Sequence, residues 1–484
     1  MTPTPEQVAI IDAARGTRAN LLVNALAGAA KTTTLQLICE AVTGIPILSL
    51  AFNKRIAEEM TKRLPSHVKC QTLNSLGHQV WGKALGKRLT LDTSKTHQII
   101  RGLIDEAPKG SKPELFEAMG DMMKAVNMAK SVGYIPPGAF SAITPLCTPE
   151  DFYAENEDGD SLSPNCQDLV DLAIITSIKQ AYAGLIDYGD QLYMPTLFGG
   201  TFPAFPLVLV DEAQDLSPLN HAMLRKLAKT RLIAVGDPFQ SIYGFRGATA
   251  NGMSLLQQTF QMEVFTLSIS FRCPQAIVDN VLWRAPHMKA FRPGGEIRHF
   301  TQWSSSDIPD GAAIICRNNA PLFSMALALI KQGRGVTLPG ADIGPALVKI
   351  LKKLGPVETK QDQVHVLINR WESEKLEKAK SPGSIVDRAE CLRVFASATS
   401  TLGTAIAFAE NLFKSSGTIV LLSGHKSKGL EFDTVIHLDS WRVPSKYATS
   451  PEAKEQERNV KYVIDTRAKD TLIYAEREAF EEGV

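Results

Sequence analysis

With 484 residues the chain is too long for one hydrophobic core and suits roughly two to four domains. Lys plus Arg total 52 against 51 Asp plus Glu, so global charge neither advertises nor excludes a nucleic-acid partner, and any basic groove must be local. Seven cysteines form no C-x-x-C pair and no spacing that gathers ligands, so no zinc site is expected and reduced thiols in the cytosol fit.

The opening residues, MTPTPEQVAIIDAARG, lack a charged-then-apolar leader, and no apolar run approaches bilayer-spanning length. A soluble, intracellular protein with no membrane partner is expected, nucleoid-associated if cellular. Short apolar runs at 20–24, 45–51, 207–210, 232–235, 312–316, 419–423 and 435–438 are bounded by polar or glycine turns, as buried parallel strands are. Helical patterns follow most of them. That alternation predicts doubly wound α/β cores with functional loops at the carboxyl ends of the strands. Two stretches interrupt it. Residues 84–196 turn helical and contain the acidic segment EDFYAENEDGD (150–160), expected as a solvated loop. Residues 335–410 form a second, smaller helical insertion with charge clusters such as WESEKLEKAK. The expected division is 1–83 plus 197–267 for the first core, 84–196 for its insertion, 268–334 plus 411–484 for the second core, and 335–410 for the smaller insertion.

After the first strand comes ALAGAAKTTTL. Ala27, Gly28, Ala29 and Ala30 are small enough for backbone N–H groups to close around phosphates, and Lys31, Thr32 and Thr33 open a helix whose N-terminus favours negative charge. In such a loop the lysine reaches the outer phosphates and the threonine hydroxyl joins a magnesium shell. The loop departs from G-x-x-x-x-G-K-[ST], because Ala25 and Ala30 stand where glycines are usual. Taken alone, it is also readable as an ordinary alanine-rich turn. LVLVDEAQD decides the matter: a buried strand ending in Asp211 and Glu212 offers one carboxylate for Mg2+ and a second to orient water against a triphosphate. The next run delivers Asp237 and Gln240 to the neighbouring strand end, with Tyr243, Phe245 and Arg246 beyond.

With both nucleotide motifs in place, the order of the remaining motifs resembles superfamily 1 DNA helicases of the UvrD/Rep type over nearly the whole length. TPEQ is similar to the Q motif of that family. AFNKRIAEEM, QTLNSLG, LIDYGDQL, SISFRCP, SGHKSKGLEFDTV and ERNVKYVIDTRAKDTLI follow in family order. AFNK, SFRC and HKSKGLEFDTV most resemble the branch containing the F-box DNA helicase, although no F-box is expected before Gln7 and no nuclease after the last motif. The resemblance implies two RecA-like (P-loop NTPase) cores, each with a mainly helical insertion, working as an ATP- and Mg2+-dependent motor. It implies that Gln7 reads adenine, Phe271 stacks on it and Glu431 meets the ribose. Lys31 and Thr32 would hold phosphates and metal, Asp211 the metal, Glu212 the attacking water and Gln240 the γ-phosphate. Arg272 and Arg467 would reach that phosphate from the second core, which ties hydrolysis to closure.

The track candidates are Phe52, Thr72, Asn74, Tyr243, Phe245, Arg246 and His425, since single strands are held by aromatic platforms and backbone contacts. Core packing is the plain alternative for Phe52 and Phe245. Several more residues depart from the family pattern: Phe245 stands where tryptophan is frequent, Asn74 replaces a usual histidine, Gln191 an acidic residue, and Lys461 and Asp465 disturb a normally apolar helix near Arg467. The expected activity is translocation on single-stranded DNA and unwinding at duplex junctions, with 3′ to 5′ polarity, by a monomer. A regulatory or scaffold ATPase without processive unwinding is the rival, and an RNA-directed motor a third reading.

Overall fold

The computed structural model describes residues 2–51, 53–154, 162–244, 251–339, 343–377 and 382–481. Phe52, Phe245 and Arg246 of the expected track lie outside the described residues, as do 155–160 of the acidic stretch; Pro149–Ala154 before them is helical. The chain divides into two compact units, Met1–Ala25 with Ala30–Leu267, and Leu26–Ala29 with Ser268–Val484.

The first unit contains β1 (Leu21–Ala25), β2 (Ile47–Ala51), β3 (Val68–Thr72), β4 (Thr90–Leu91), β5 (Leu185–Ile186), β6 (Leu207–Val210), β7 (Leu232–Gly236) and β8 (Glu263–Leu267). Six of them make a sheet in the order β3-β2-β6-β7-β1-β8, parallel throughout, while β4 and β5 pair separately. Strands β2, β6 and β7 are buried at every position, as a parallel sheet covered on both faces requires. These are the runs that the apolar pattern predicts. The edges differ: β3 reads VKCQT and β8 reads EVFTL, with exposed positions in both, because an edge strand has only half of its surroundings filled.

Apolar clusters hold this unit together. Leu48, Leu50, Val208, Val210, Met223 and Leu224 pack one face of the sheet. The long helices Lys95–Glu106, Lys112–Val132 and Pro164–Ala183 enclose another, around Ile100, Ile104, Met122, Val126, Ile174 and Ile178. Helix Leu73–Leu85 lies against Asp190–Leu197 so closely that a Cβ on Gly77 would sit 1.9 Å from the Gln191 carbonyl oxygen.

The second unit has β9 (Ile269–Ser270) paired with β10 (Lys289–Ala290), then β11 (Glu296–Phe300), β12 (Ala313–Cys316), β13 (Val336–Thr337), β14 (Ile419–Ser423), β15 (Phe432–Leu438) and β16 (Ala468–Ala475). Its six-stranded sheet runs β11-β16-β15-β12-β14-β13, again parallel. Here the helices between β13 and β14 share one core with the sheet: Leu351, Ile368, Phe395 and Leu412 cluster with Ile314, Leu421 and Ile436. Among the described residues no helix is long and apolar enough to cross a membrane.

Candidate active site

In the sheet order β6, β7 and β1 are consecutive, so the turns after these three strands open at neighbouring carboxyl ends. Ligand sites of open parallel sheets form at such ends. After β1 the chain turns through Gly28 at φ +74° and Ala30 at φ 56°, ψ 43° before helix Lys31–Ala41 begins. Glycine tolerates the left-handed region; alanine does so at a cost of about 1–2 kcal/mol. Thr32 and Thr33 are exposed on the first helical turn. Thr34 points inward, its hydroxyl donating to the Ala30 carbonyl at 3.1 Å and accepting from Gln7 Nε2 at 3.0 Å. Gln7 is otherwise part of a capping box, its Oε1 accepting the Thr4 N–H at 2.9 Å. The expected adenine reader is therefore linked through one hydroxyl to the end of the phosphate loop.

Lys31 Nζ lies 3.0 Å from Glu212 Oε2. Burial pushes the Asp211 carboxyl up to about 7, helped by the adjacent Glu212 charge and opposed by Lys31. Burial also raises Asp237. Burial disfavours the charged form of Lys31, but Glu212, Asp237 and Asp211 raise its pKa above the ordinary value. Three carboxylates thus act on this ammonium, Asp211 and Asp237 from buried positions and Glu212 from a half-buried one. Gln240 is buried and donates to Asp237 Oδ2 at 2.7 Å. Gln214, which the sequence does not single out, donates from Nε2 to Glu212 Oε2 at 2.6 Å and accepts the Asp237 N–H at 2.9 Å.

Leu26–Ala29, expected with the first core, group with the second unit, because the Ala27 N–H donates to Tyr462 Oη at 3.0 Å and the Gly28 carbonyl accepts the Phe271 N–H at 2.9 Å. Ala29 is buried there. Within the same unit Arg272 Nε pairs with Glu431 Oε2 at 2.8 Å, so two separate expectations, a phosphate arginine and a ribose carboxylate, meet in one ion pair. The Phe271 ring rests against Phe291, centroids 4.8 Å apart. Arg467 is 1% exposed, and its guanidinium donates to the Val463 and Leu430 carbonyls and to Thr466 Oγ1.

Of the described track candidates, Thr72 caps helix Leu73–Leu85 by accepting the Ser75 N–H at 3.1 Å. Tyr243 lines a cavity of about 210 Å3 with Asn127, Lys130, Asp215 and Asn220. His425 sits half-buried on the short helix Gly424–Ser427. Asn74 Nδ2 donates to Gln191 Oε1 at 3.0 Å and to the Tyr188 carbonyl at 2.9 Å, so two residues that depart from the family pattern form one contact. Lys461 and Asp465 do the same. The fully buried Asp465 meets His437 Nδ1 at 2.7 Å, Lys461 Nζ at 3.1 Å and Tyr474 Oη at 3.0 Å. Burial works against the Asp465 carboxylate, yet the His437 and Lys461 charges hold its pKa below the ordinary range.

A further buried group went unread in the sequence. Lys95 Nζ contacts Asp190 Oδ2 at 2.5 Å, and Lys130 Nζ contacts Asp187 Oδ2 and Asp190 Oδ1 at 2.7 Å each. A signal for it exists: Lys130 falls on the apolar stripe Met122, Ala125, Val126, Ala129 at helical spacing. Among the described residues no three His, Cys, Asp or Glu side chains are grouped so as to hold a metal by themselves.

Residues 4–261 match the UvrD/REP helicase N-terminal domain, and residues 365–477 match the UvrD-like helicase C-terminal domain. The chain is 25% identical to F-box DNA helicase protein 1 of Schizosaccharomyces pombe, over 97% of this chain and 57% of the relative. It is 25% identical to F-box DNA helicase 1 of Gallus gallus, over 94% and 47%, and to DNA helicase II of Haemophilus influenzae, over 54% and 37%. The chain thus spans about half the length of the F-box helicases it matches.

Proposed function

This chain belongs to the UvrD/Rep helicase family, and from that premise we propose that it hydrolyses ATP to move along single-stranded DNA from 3′ to 5′ and to open duplex junctions, as a monomer. One observation carries the reading: at neighbouring strand ends Lys31 pairs with Glu212 and lies in the field of the buried Asp211 and Asp237, a site with more acid than base. A phosphate chain with its counter-cation fits such a site, because the cation relieves the carboxylates while Lys31 turns to the phosphates.

The residues suit Mg2+, a hard cation that takes oxygen donors and keeps part of its shell for substrate phosphate. Thr32, whose side chain is exposed, and Asp211, whose proton is displaced readily at about 7, would hold it. When bound, the ion neutralises charge on the phosphates. Glu212 would orient the attacking water, and Gln240 would report the γ-phosphate to Asp237. The phosphate loop from Ala27 to Thr33 would hold the chain of phosphates, Gln7 and Phe271 the base, and Glu431 the ribose. Arg272 and Arg467 would give up their present partners to meet the γ-phosphate, which makes nucleotide binding compete with Glu431 and with backbone carbonyls. Tyr243, Thr72, Asn74 and His425 would serve the DNA. Unpairing costs on average about 1.4 kcal/mol per base-pair step, so each turnover needs to drive only a short advance.

Duplexes with a 3′ or a 5′ single-stranded tail test this, comparing the wild type with Lys31→Ala. Strand separation from the 3′ tail alone, lost in Lys31→Ala, is expected. Robust ATP hydrolysis without separation on either tail supports a regulatory ATPase instead, and stronger stimulation of hydrolysis by RNA than by DNA supports an RNA-directed motor.

A further inference from the structure

We propose that Gln214 is a positioning residue for ATP hydrolysis, whose side-chain amide keeps Glu212 aimed at the attacking water when Lys31 turns to the nucleotide. The inference rests on the reading of Glu212 as the water-orienting carboxylate.

Three observations converge on this amide. First, Glu212 stands at φ 51°, ψ 43°, a left-handed conformation that costs a non-glycine residue about 1–3 kcal/mol and persists only where the surroundings over-determine it. Second, Gln214 is 1% exposed and both ends of its amide are engaged: Nε2 donates to Glu212 Oε2 at 2.6 Å, with Asp215 Oδ2 at 3.4 Å, and Oε1 accepts the Asp237 N–H at 2.9 Å. The partners dictate this orientation. A backbone N–H can only donate and a carboxylate can only accept, so turning the amide over would set donor against donor and acceptor against acceptor. Third, a Cβ on Gly236 would lie 2.5 Å from Gln214 Oε1 and 3.0 Å from the Gln214 N. The end of β7 is bare where this side chain passes.

The geometry assigns the amide a distinct task. Glu212 Oε2 accepts from both Lys31 Nζ and Gln214 Nε2. Phosphate attracts the ammonium strongly, so nucleotide weakens the first contact, and it does so at the moment when Glu212 must be most exactly directed. The second contact has no such competitor, because an uncharged amide tied to the β7 strand end gains little from a phosphate. A cation in this place would follow Lys31 to the phosphates; an apolar side chain would offer Glu212 Oε2 no hydrogen bond from the end of β7. A shift of about 1 Å in a reacting group can cost ~100-fold in rate.

Steady-state ATP hydrolysis in the presence of single-stranded DNA, together with equilibrium binding of a non-hydrolysable ATP analogue, tests the proposal. Gln214→Met keeps the length and removes both hydrogen bonds. The expected result is a kcat reduced ~10- to 100-fold with KM and analogue affinity within about twofold of wild type, because an interaction made in the transition state has been lost without loss of binding. In a Glu212→Ala background the same substitution has no further effect on kcat, since residues acting as a unit are not additive. Equal reductions in both backgrounds, or a Gln214→Met enzyme with wild-type kcat, overturn the proposal. If Gln214→Met fails to bind the analogue and so has not folded, Gln214→Glu decides by the same cycle: it keeps the size but sets a carboxylate against Glu212, and additivity there overturns the proposal equally. Turnover that survives in Glu212→Ala removes the reading beneath the proposal and is a separate result.

Discussion

The first unit buries two clusters of charge, and they are built on opposite terms. Around Lys31 three carboxylates, Asp211, Glu212 and Asp237, face the ammonium, and burial with like charge lifts Asp211 to about 7. Within the helices of 95–197, Lys95 and Lys130 face Asp187 and Asp190, two against two. Burial works against Asp187 as well, yet Lys130 holds it down at about 2, aided by the Asp190 N–H. Thr96 Oγ1 donates to Asp187 and Ser177 Oγ, which accepts from Lys130, donates to Asp190. Comparable burial therefore yields opposite pKa shifts, and the difference is the balance of charge and donors. The balanced cluster fastens helices together. The unbalanced one stands at an energetic disadvantage that a ligand bringing positive charge would relieve, and it includes Glu212 and adjoins Ala30, both in the left-handed region.

The largest effect expected from this contrast follows from Lys130→Met, which leaves two buried carboxylates short of a cation. Denaturant unfolding should show a loss of about 3–5 kcal/mol, with hydrolysis per folded molecule near that of wild type. A loss below ~1 kcal/mol would erase the distinction between the clusters. Asp211→Asn should act with the opposite sign, stabilising the nucleotide-free protein at pH 8 by on the order of 1–3 kcal/mol while hydrolysis falls at least ~100-fold. Destabilisation by Asp211→Asn would show that the site is satisfied as it stands.

Acid and base titrations of stability sharpen the same contrast. Asp187, lowered to about 2 in the fold, contributes stability that is complete above the ordinary carboxylate range and is lost as pH falls through about 2. Asp211, raised to about 7, contributes stability that is complete below that range and is lost as pH rises through about 7. The advantage of Asp211→Asn over wild type should therefore grow between about pH 4 and 7, and the deficit of Lys130→Met should shrink below about pH 4; parallel curves would contradict both assignments. The smallest effect is that of Ala30→Gly, which places glycine at φ 56° and should stabilise by about 0.5–1 kcal/mol in thermal unfolding. A fall in stability would mean that the turn is not strained.

The central strands were legible because β2, β6, β7 and β12 are almost wholly apolar and buried at every position, the signature of a strand covered on both faces. The edge strands β3, β8 and β11 were not, since VKCQT, EVFTL and EIRHF mix exposed positions with half-buried and few buried ones over too few residues to set a period. Lys31, Asp211 and Glu212 could be read from motifs because each is fixed by a strand end next to it. Their partners could not. Gln214 matters through a neighbouring strand, Asn74 through Gln191, and Asp465 through His437 and Tyr474. Such pairs are joined by packing and not by spacing, so each half looks like an isolated oddity until the fold closes. Lys95 and Lys130 were hidden for a simpler reason: lysine on a helix ordinarily marks solvent, and only the apolar stripe around Lys130 says otherwise.

Steady-state ATP hydrolysis by the wild type and by Lys31→Ala, each with and without single-stranded DNA, tests the account most directly. Turnover stimulated by DNA in the wild type and reduced at least ~100-fold in a folded Lys31→Ala protein is the predicted result. Equal turnover in the two proteins would contradict it, for the cluster at the ends of β1, β6 and β7 would then have no part in the chemistry.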